Sequence, residues 1–377
     1  MSSNVKIITA YLPQFHRIPE NDKWWGEGYT DWVGVKKAKP LFKGHVQPNI
    51  PLNHHYYSLD NPEEIFHQIE LANKAGIYGF SIYHYWFSSN LQLLQKPAEI
   101  ILENQDWPIH YMFVWDNGSW KRTWSAIKGN DIAPEADKEK RDIDDTGILA
   151  ELLYGNEIDW KKHFNYLLKF FEDPRYIKID KKPVFGIYNP NNDSETIKRM
   201  IQFWEKLAIE NGFPGLYVIA KNNHGENIIT PYSFRYEPPF SGWENRNLFD
   251  RIKNKLRVQI GKKTGKPSTY DYEKIWKKII INAQSCNDRN TFYGAMVGYD
   301  DTPRRAGGGK VIINRTPEKF RKYMKELIAI CKEQGKEYLF LTAWNEWGEG
   351  AFLEPDEKNN YAYLSAVRKA LDEYQMK

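Results

Sequence analysis

The sequence predicts an α/β protein folded as a (β/α)8 TIM barrel, a single domain over residues 1–377 with long loops after the strands. Two observations carry that prediction. Eight short apolar runs alternate with longer amphipathic segments, the pattern of repeated βαβ units. The runs are nearly continuous in apolar residues, as a parallel sheet covered on both faces requires. A doubly wound open sheet shares these features, but eight units over this length fit the closed barrel better.

In chain order, VKIITAYL from Val5 is the first strand, and a long loop follows from Pro13 to Asp60. Asp60 or Asn61 can cap a helix over Pro62 to Ala75, with Pro62 in its first turn and Gly76 past its end. YGFSIYHYW from Tyr78 and IHYMFVW from Ile109 are strands two and three, and a second long loop runs from Asp116 to Trp160. Helical spacing over Trp160 to Phe171 precedes the fourth strand, PVFGIY from Pro183; the same spacing over Asp193 to Asn211 precedes the fifth, LYVIA from Leu216. YSFRYEP from Tyr232 supplies the sixth. Helices over Tyr272 to Cys286 and Thr316 to Gln334, the latter closed by Gly335, precede FYGAMVGY from Phe292 and YLFLTAW from Tyr338. No linker-like composition, repeat or low-complexity tract divides the chain.

Composition narrows the function classes. Hydrophobic residues at 41% and charged residues at 27% belong to a globular protein with a sizeable core. Fourteen Trp, 24 Tyr and 19 Phe exceed what a core ordinarily uses, so the rings serve bulky packing, a ligand cleft, or both. A net charge of +4 is too small to argue for nucleic acid, and no such partner is expected. One acid-free basic stretch, RIKNKLRVQIGKKTGK from Arg251 to Lys266, reads as a solvated surface insertion; contact with an anionic glycan, a nucleotide or a membrane surface is the alternative. Cys286 and Cys331 lie in apolar helical contexts that suit buried free thiols and a reducing compartment. No metal-type spacing occurs, and neither metal nor cofactor is expected. The N-terminus lacks a leader-like apolar region and no window approaches a membrane span, which predicts a cytoplasmic chain unless a leader has been trimmed from it.

A barrel of this kind keeps its active site at the C-terminal ends of its strands. Those positions are Tyr11, Gln14 and His16; His84, Tyr85 and Trp86; Trp115, Asp116 and Asn117; Tyr188 and Asn189; Lys221, Asn222 and Asn223; Arg235, Tyr236 and Glu237; Asp300, Asp301 and Arg304; and Trp344, Asn345, Glu346 and Glu349. Planar hydrogen-bonding groups and aromatic faces at every strand end suit a polyhydroxylated ligand. The eighth run ends in LTAWNEWGEGAFLEP, where Glu346 and Glu349 are three apart. A helical turn there would bring their side chains together, and two such close acids separate their protonation, as an acid/base pair requires. A polar loop whose glutamates cap a following helix is the plainer reading, outweighed by the position after strand eight beside Trp344 and Trp347. The candidate catalytic residues are therefore Glu346 and Glu349. Trp24, Trp25, Trp347 and Glu354, together with Tyr11, His16, His84, Tyr85, Trp86, Trp115, Asp116, Asn117, Tyr188, Asn189, Tyr236, Glu237, Asp300, Arg304, Trp344 and Asn345 from the strand ends, are candidates for substrate contact. GYDDTPRRAGGG offers Asp300, Asp301, Arg304 and Arg305 as an anion clamp or as a loop-internal salt bridge. RDIDD from Arg141 superficially matches the D-x-D of metal-dependent sugar transferases but sits in a charged loop segment.

Four segments together, AYLPQFHRIPENDKWWGEGYTDWVGVKKAKPLFKGHVQPNIPL, AGIYGFSIYHYWF, DPRYIKIDKKPVFGIY and LTAWNEWGEGAFLEPD, resemble the glycosyltransferase WbsX-like family of bacterial polysaccharide gene clusters. More distantly, AGIYGFSIYHYW and NEWGEGAFLEP resemble glycoside hydrolase family 99, (β/α)8 enzymes that act within chains of α-mannosides. The hydrolase resemblance implies that Glu346 deprotonates the substrate's own 2-hydroxyl, which attacks the anomeric carbon to give a 1,2-anhydro sugar. Glu349 would protonate the leaving oxygen, and the outcome would be retaining. Gly348 stands where that family has a histidine, so mannose specificity does not carry over. The resemblance implies an oligosaccharide or polysaccharide substrate. The alternatives are a noncatalytic glycan-binding protein on a barrel scaffold and a nucleotide-sugar-dependent glycosyltransferase.

Overall fold

The computed structural model describes residues 5–121, 147–223, 228–244 and 248–375. Eight strands form its centre: β1 (Lys6–Tyr11), β2 (Gly79–Ser88), β3 (His110–Trp115), β4 (Lys182–Ile187), β5 (Tyr217–Lys221), β6 (Tyr232–Phe234), β7 (Thr291–Met296) and β8 (Tyr338–Thr342). Each pairs in parallel with the next, and β8 returns to β1 with Phe340 opposite Ile8, so the barrel is closed. All eight apolar runs coincide with barrel strands.

Around the barrel lie α1 (Pro62–Ala75), α2 (Lys96–Glu103), α3 (Glu157–Phe171), α4 (Ser194–Glu210), α5 (Leu248–Thr264), α6 (Tyr272–Gln284), α7 (Pro317–Glu333) and α8 (Ala362–Gln375). Local chemistry sets several ends. Asn61 caps α1 by accepting from the Glu63 amide, and Gly76 ends it at φ +80°, where an added Cβ would lie 2.7 Å from Leu371 of α8. Asn156 and Asp159 form a capping box on α3, and Thr316 caps α7 ahead of Pro317. The alternation is not perfect. Among the described residues no helix separates β5 from β6, while a π-helical turn, Phe240–Glu244, and two α-helices, α5 and α6, separate β6 from β7. Helices α2, α5 and α8 lie outside the five helical patterns read from the sequence.

Much of the aromatic excess is packing. Trp204 of α4 donates to the Trp160 carbonyl of α3 at 2.9 Å, and Trp276 of α6 stacks on Tyr323 of α7 at 5.6 Å. Cys331 is buried and its thiol is pushed up to about 12 by burial, whereas Cys286 is only half-buried; both are free. The RDIDD segment lies outside the described residues. No helix among the described residues is long and apolar enough to cross a membrane.

Candidate active site

Beyond β8 the chain makes a tight hairpin. Asn345–Glu346 pairs antiparallel with Ala351–Phe352, and a 3-10 turn, Trp347–Glu349, forms the tip. Residues three apart eclipse one another in such a turn. Glu346 and Glu349 therefore project to one side, and Arg304, from the short helix Thr302–Arg305 after β7, reaches both. Gly350 closes the turn at φ +59°, and a Cβ there would meet Asp300 Cβ at 2.9 Å. At Gly348 a Cβ would lie 2.9 Å from Arg304 Nε, so the guanidinium fills the space a side chain would need.

Arg304 Nη1 donates to Glu349 Oε1 at 2.9 Å and Nη2 to Asp31 Oδ2 at 2.8 Å, while Glu346 Oε2 is 3.8 Å away. Glu346 is 4% exposed, and its Oε2 has no hydrogen-bond partner. Burial, then the neighbouring Glu349 charge, push Glu346 up to about 8, against the pull of Arg304. Burial also raises Asp31, opposed by Arg304, and lifts Asp116 to about 6 against Lys221.

Four tyrosines gather around these acids: Tyr83, Tyr85, Tyr188 and Tyr236 all feel the Glu346 charge, and Tyr188 and Tyr236 that of Glu349 as well. Tyr83 and Tyr236 share a hydroxyl–hydroxyl bond of 2.8 Å, Tyr188 lies edge-on to both, and Tyr85 accepts from Gln14 at 2.8 Å. Lys221 Nζ sits 3.4 Å over the Tyr188 ring centre. Trp120 packs edge-on to Tyr85, Trp24 on Trp120, and Trp25 stacks on Tyr29, whose hydroxyl is raised by burial and by Asp31. Asn189 donates to Asp116 at 3.1 Å.

Other candidate residues are placed elsewhere. Strand alternation points Tyr83 and Tyr85 inward but sends His84 and Trp86 outward against α3. There His84 Nε2 is 2.8 Å from His163 Nε2, burial lowers it to about 3, and Trp86 stacks on His163 at 4.4 Å. Trp115 faces the same layer, donating to the Trp86 carbonyl and packing on Trp204. Trp344 is fully buried against Phe80, and Tyr11 donates to Gln68 at 2.7 Å. Asn345 is fully buried too, exchanging both bonds with the Leu12 backbone. Asn117 braces the chain at Asn189, and His16 is buried near Asp60. Glu237 accepts from the Ser241 amide and hydroxyl and is pushed up to about 8 by burial. Asp300 spends its oxygens on His45, Gln47 and Thr302, which together hold it below the usual carboxylate range despite burial. Arg305 pairs with Asp301 at 3.3 Å, the loop-internal alternative. Trp347 stacks on Phe352 and donates to Glu354 at 2.5 Å; Glu354 also accepts from Tyr57 and Gln68.

Asp31 and Tyr83 were missed by the sequence reading. Period two along β2 carried a signal for Tyr83, since Tyr85 shares its face; nothing local marks Asp31, 273 positions from Arg304. Among the described residues no three His, Cys, Asp or Glu are grouped to hold a metal ion.

Comparisons place this geometry among known proteins. The solved endo-α-mannosidase of glycoside hydrolase family 99 from Bacteroides thetaiotaomicron is 16% identical, with a TM-score of 0.56 over 98% of this chain and 97% of that one. A structure described as a glycoside hydrolase-like protein gives 0.54 at 14% identity, over 98% and 94%. These likenesses establish a shared fold. The uncharacterized protein WxcX of Xanthomonas campestris pv. campestris strain B100 is 26% identical over 97% of this chain, and the chain spans 49% of that relative's length. The family model described as glycosyltransferase WbsX matches residues 7–367. The chain belongs to the glycosyltransferase WbsX family.

Proposed function

We propose that this protein cleaves or transfers a glycosyl unit of a bacterial polysaccharide, with Glu346 and Glu349 exchanging the protons. The observation that carries the reading is the Oε2 of buried Glu346, which has no hydrogen-bond partner although it lies beside Arg304 and Glu349 and within the electrostatic reach of Tyr83, Tyr85, Tyr188 and Tyr236. A buried carboxyl oxygen without a hydrogen-bond partner from the protein is costly, and a sugar hydroxyl would satisfy it. Family membership, and a barrel shared with glycoside hydrolases, support a carbohydrate substrate.

In this reading Glu346 is the base. A carboxylate tuned towards neutral pH is a better base than an ordinary one; burial supplies most of that tuning, and the pair acts when its one proton sits on Glu349. Glu346 takes the proton of the sugar's 2-hydroxyl, O2 bonds to the anomeric carbon, and the glycosidic bond breaks as Glu349 gives its proton to the departing oxygen. Glu349 then takes a proton from water or from an acceptor hydroxyl, which opens the three-membered ring, and Glu346 returns the proton to O2. Two displacements at one carbon retain its configuration. Arg304 positions Glu349 through the 2.9 Å bond and is itself fixed by Asp31.

The test is a screen of purified protein against defined oligosaccharides and capsule or O-antigen fragments, with product size and anomeric configuration followed by NMR. Retained configuration in a shorter or transferred product is expected. Inverted product would remove the anhydro-sugar scheme. Glycan binding with no turnover, unchanged by Glu346→Gln or Glu349→Gln, would replace the enzyme with a binding protein.

A further inference from the structure

Helix α5 has a face that the barrel does not use. Asn254 and Gly261 turn inward: Asn254 accepts from Tyr270 at 3.3 Å, and a Cβ on Gly261 would lie 2.3 Å from the Gly307 carbonyl. The helix backbone therefore rests directly on the segment that follows Arg304. On the other side Ile252, Leu256 and Ile260, each four residues from the next, are 51%, 58% and 58% exposed. That spacing makes one aliphatic stripe along the helix. Lys253, Lys255, Arg257, Lys262, Lys263 and Lys266 flank it, all exposed and none in an ion pair among the described residues. Residues 251–266 hold seven Lys and Arg and no acid.

We propose that α5 is a docking helix for an anionic lipid bilayer, its aliphatic stripe entering the headgroup boundary and its lysines meeting lipid phosphates. The combination selects this partner. The core of a protein–protein interface is depleted in lysine, and a single-stranded nucleic acid calls for stacking rings that this face lacks. A bilayer interface takes both parts, because aliphatic side chains enter the acyl boundary while lysine stems snorkel to the phosphates. Because α5 sits on the segment after Arg304, docking holds the candidate site close to the lipid surface. The inference is independent of the glycan chemistry, so either can fail alone.

The test is co-sedimentation of the full chain with phosphatidylcholine vesicles, with and without phosphatidylglycerol. Binding to the anionic vesicles alone is expected, weakened about tenfold or more by Leu256→Asp/Ile260→Asp and by Lys262→Glu/Lys263→Glu. All four side chains are exposed, so both variants should keep the wild-type unfolding temperature. If the aspartate variant nevertheless misfolds, Leu256→Gln/Ile260→Gln takes its place, with the same loss of anionic binding expected and the same full retention overturning the proposal. No binding to anionic vesicles overturns the proposal. So does equal binding to neutral ones, or anionic binding that the aspartate variant retains in full, which is adsorption by charge alone.

Discussion

Glu346 and Glu354 lie in one short segment, both are buried, and burial is the main force that pushes each up to about 8. Their surroundings differ. Glu354 accepts from Tyr57 at 2.7 Å, Gln68 at 2.8 Å and Trp347 at 2.5 Å, so the protein itself satisfies it. Glu346 has an unpartnered oxygen, a second carboxylate nearby and a guanidinium 3.8 Å away. A raised carboxyl is thus no sign of chemistry by itself. What separates the two is unspent hydrogen-bonding capacity beside a second acid and a shared arginine.

The largest effect that could break this contrast is on turnover. Glu346→Gln and Glu349→Gln should each lower kcat by roughly 10²–10⁴-fold with the unfolding temperature little changed, the usual worth of a general acid or base. An equal fall in kcat for Glu354→Gln would erase the distinction. Glu354→Ala should act on stability instead. It leaves the Tyr57, Gln68 and Trp347 donors facing a gap, at a cost of about 2–4 kcal/mol in denaturant unfolding, while the folded fraction keeps its kcat.

Glu354 also has a pH signature. Its folded pKa of about 8 lies above the ordinary 4.5, so between these values the native state holds a proton that the unfolded chain has released. Stability from this group is full below pH 4.5, declines as pH rises and is lost above about 8. Glu354→Gln should flatten that decline by one proton's worth, measured as unfolding free energy against pH. The smallest effect on activity belongs to the outer face. His84→Phe takes a partner from buried His163 and should cost about 1–2 kcal/mol, with kcat unchanged.

Legibility in the sequence follows the same divide. The strands were readable because parallel barrel strands are buried on both faces and must be apolar throughout, and capped helices such as α1 announce their ends through Asn61, Pro62 and Gly76. Helix α5 was harder, because its exposed stripe and basic flanks lack the polar outer face that marks an ordinary surface helix. At the mouth, the spacing of Glu346 and Glu349 brought the pair onto one arginine, although through a 3-10 turn. Continuous apolar strands, however, hide which face each side chain takes. His84 and Trp86 therefore looked equivalent to Tyr83 and Tyr85, and only the position of α3 separates them. Asp31 joins the site through the fold alone.

The most direct measurement is kcat/KM against pH, on whichever oligosaccharide the protein turns over. The scheme works only while the two carboxyls together hold one proton, so the free enzyme should lose activity as pH rises through about 8, where that proton leaves, and the residual activity of Glu346→Gln should lack that limb. A wild-type profile that rises through the same range would mean that no proton of the pair is needed for the leaving oxygen to depart, and one that stays flat there would remove Glu346 from the proton transfers altogether.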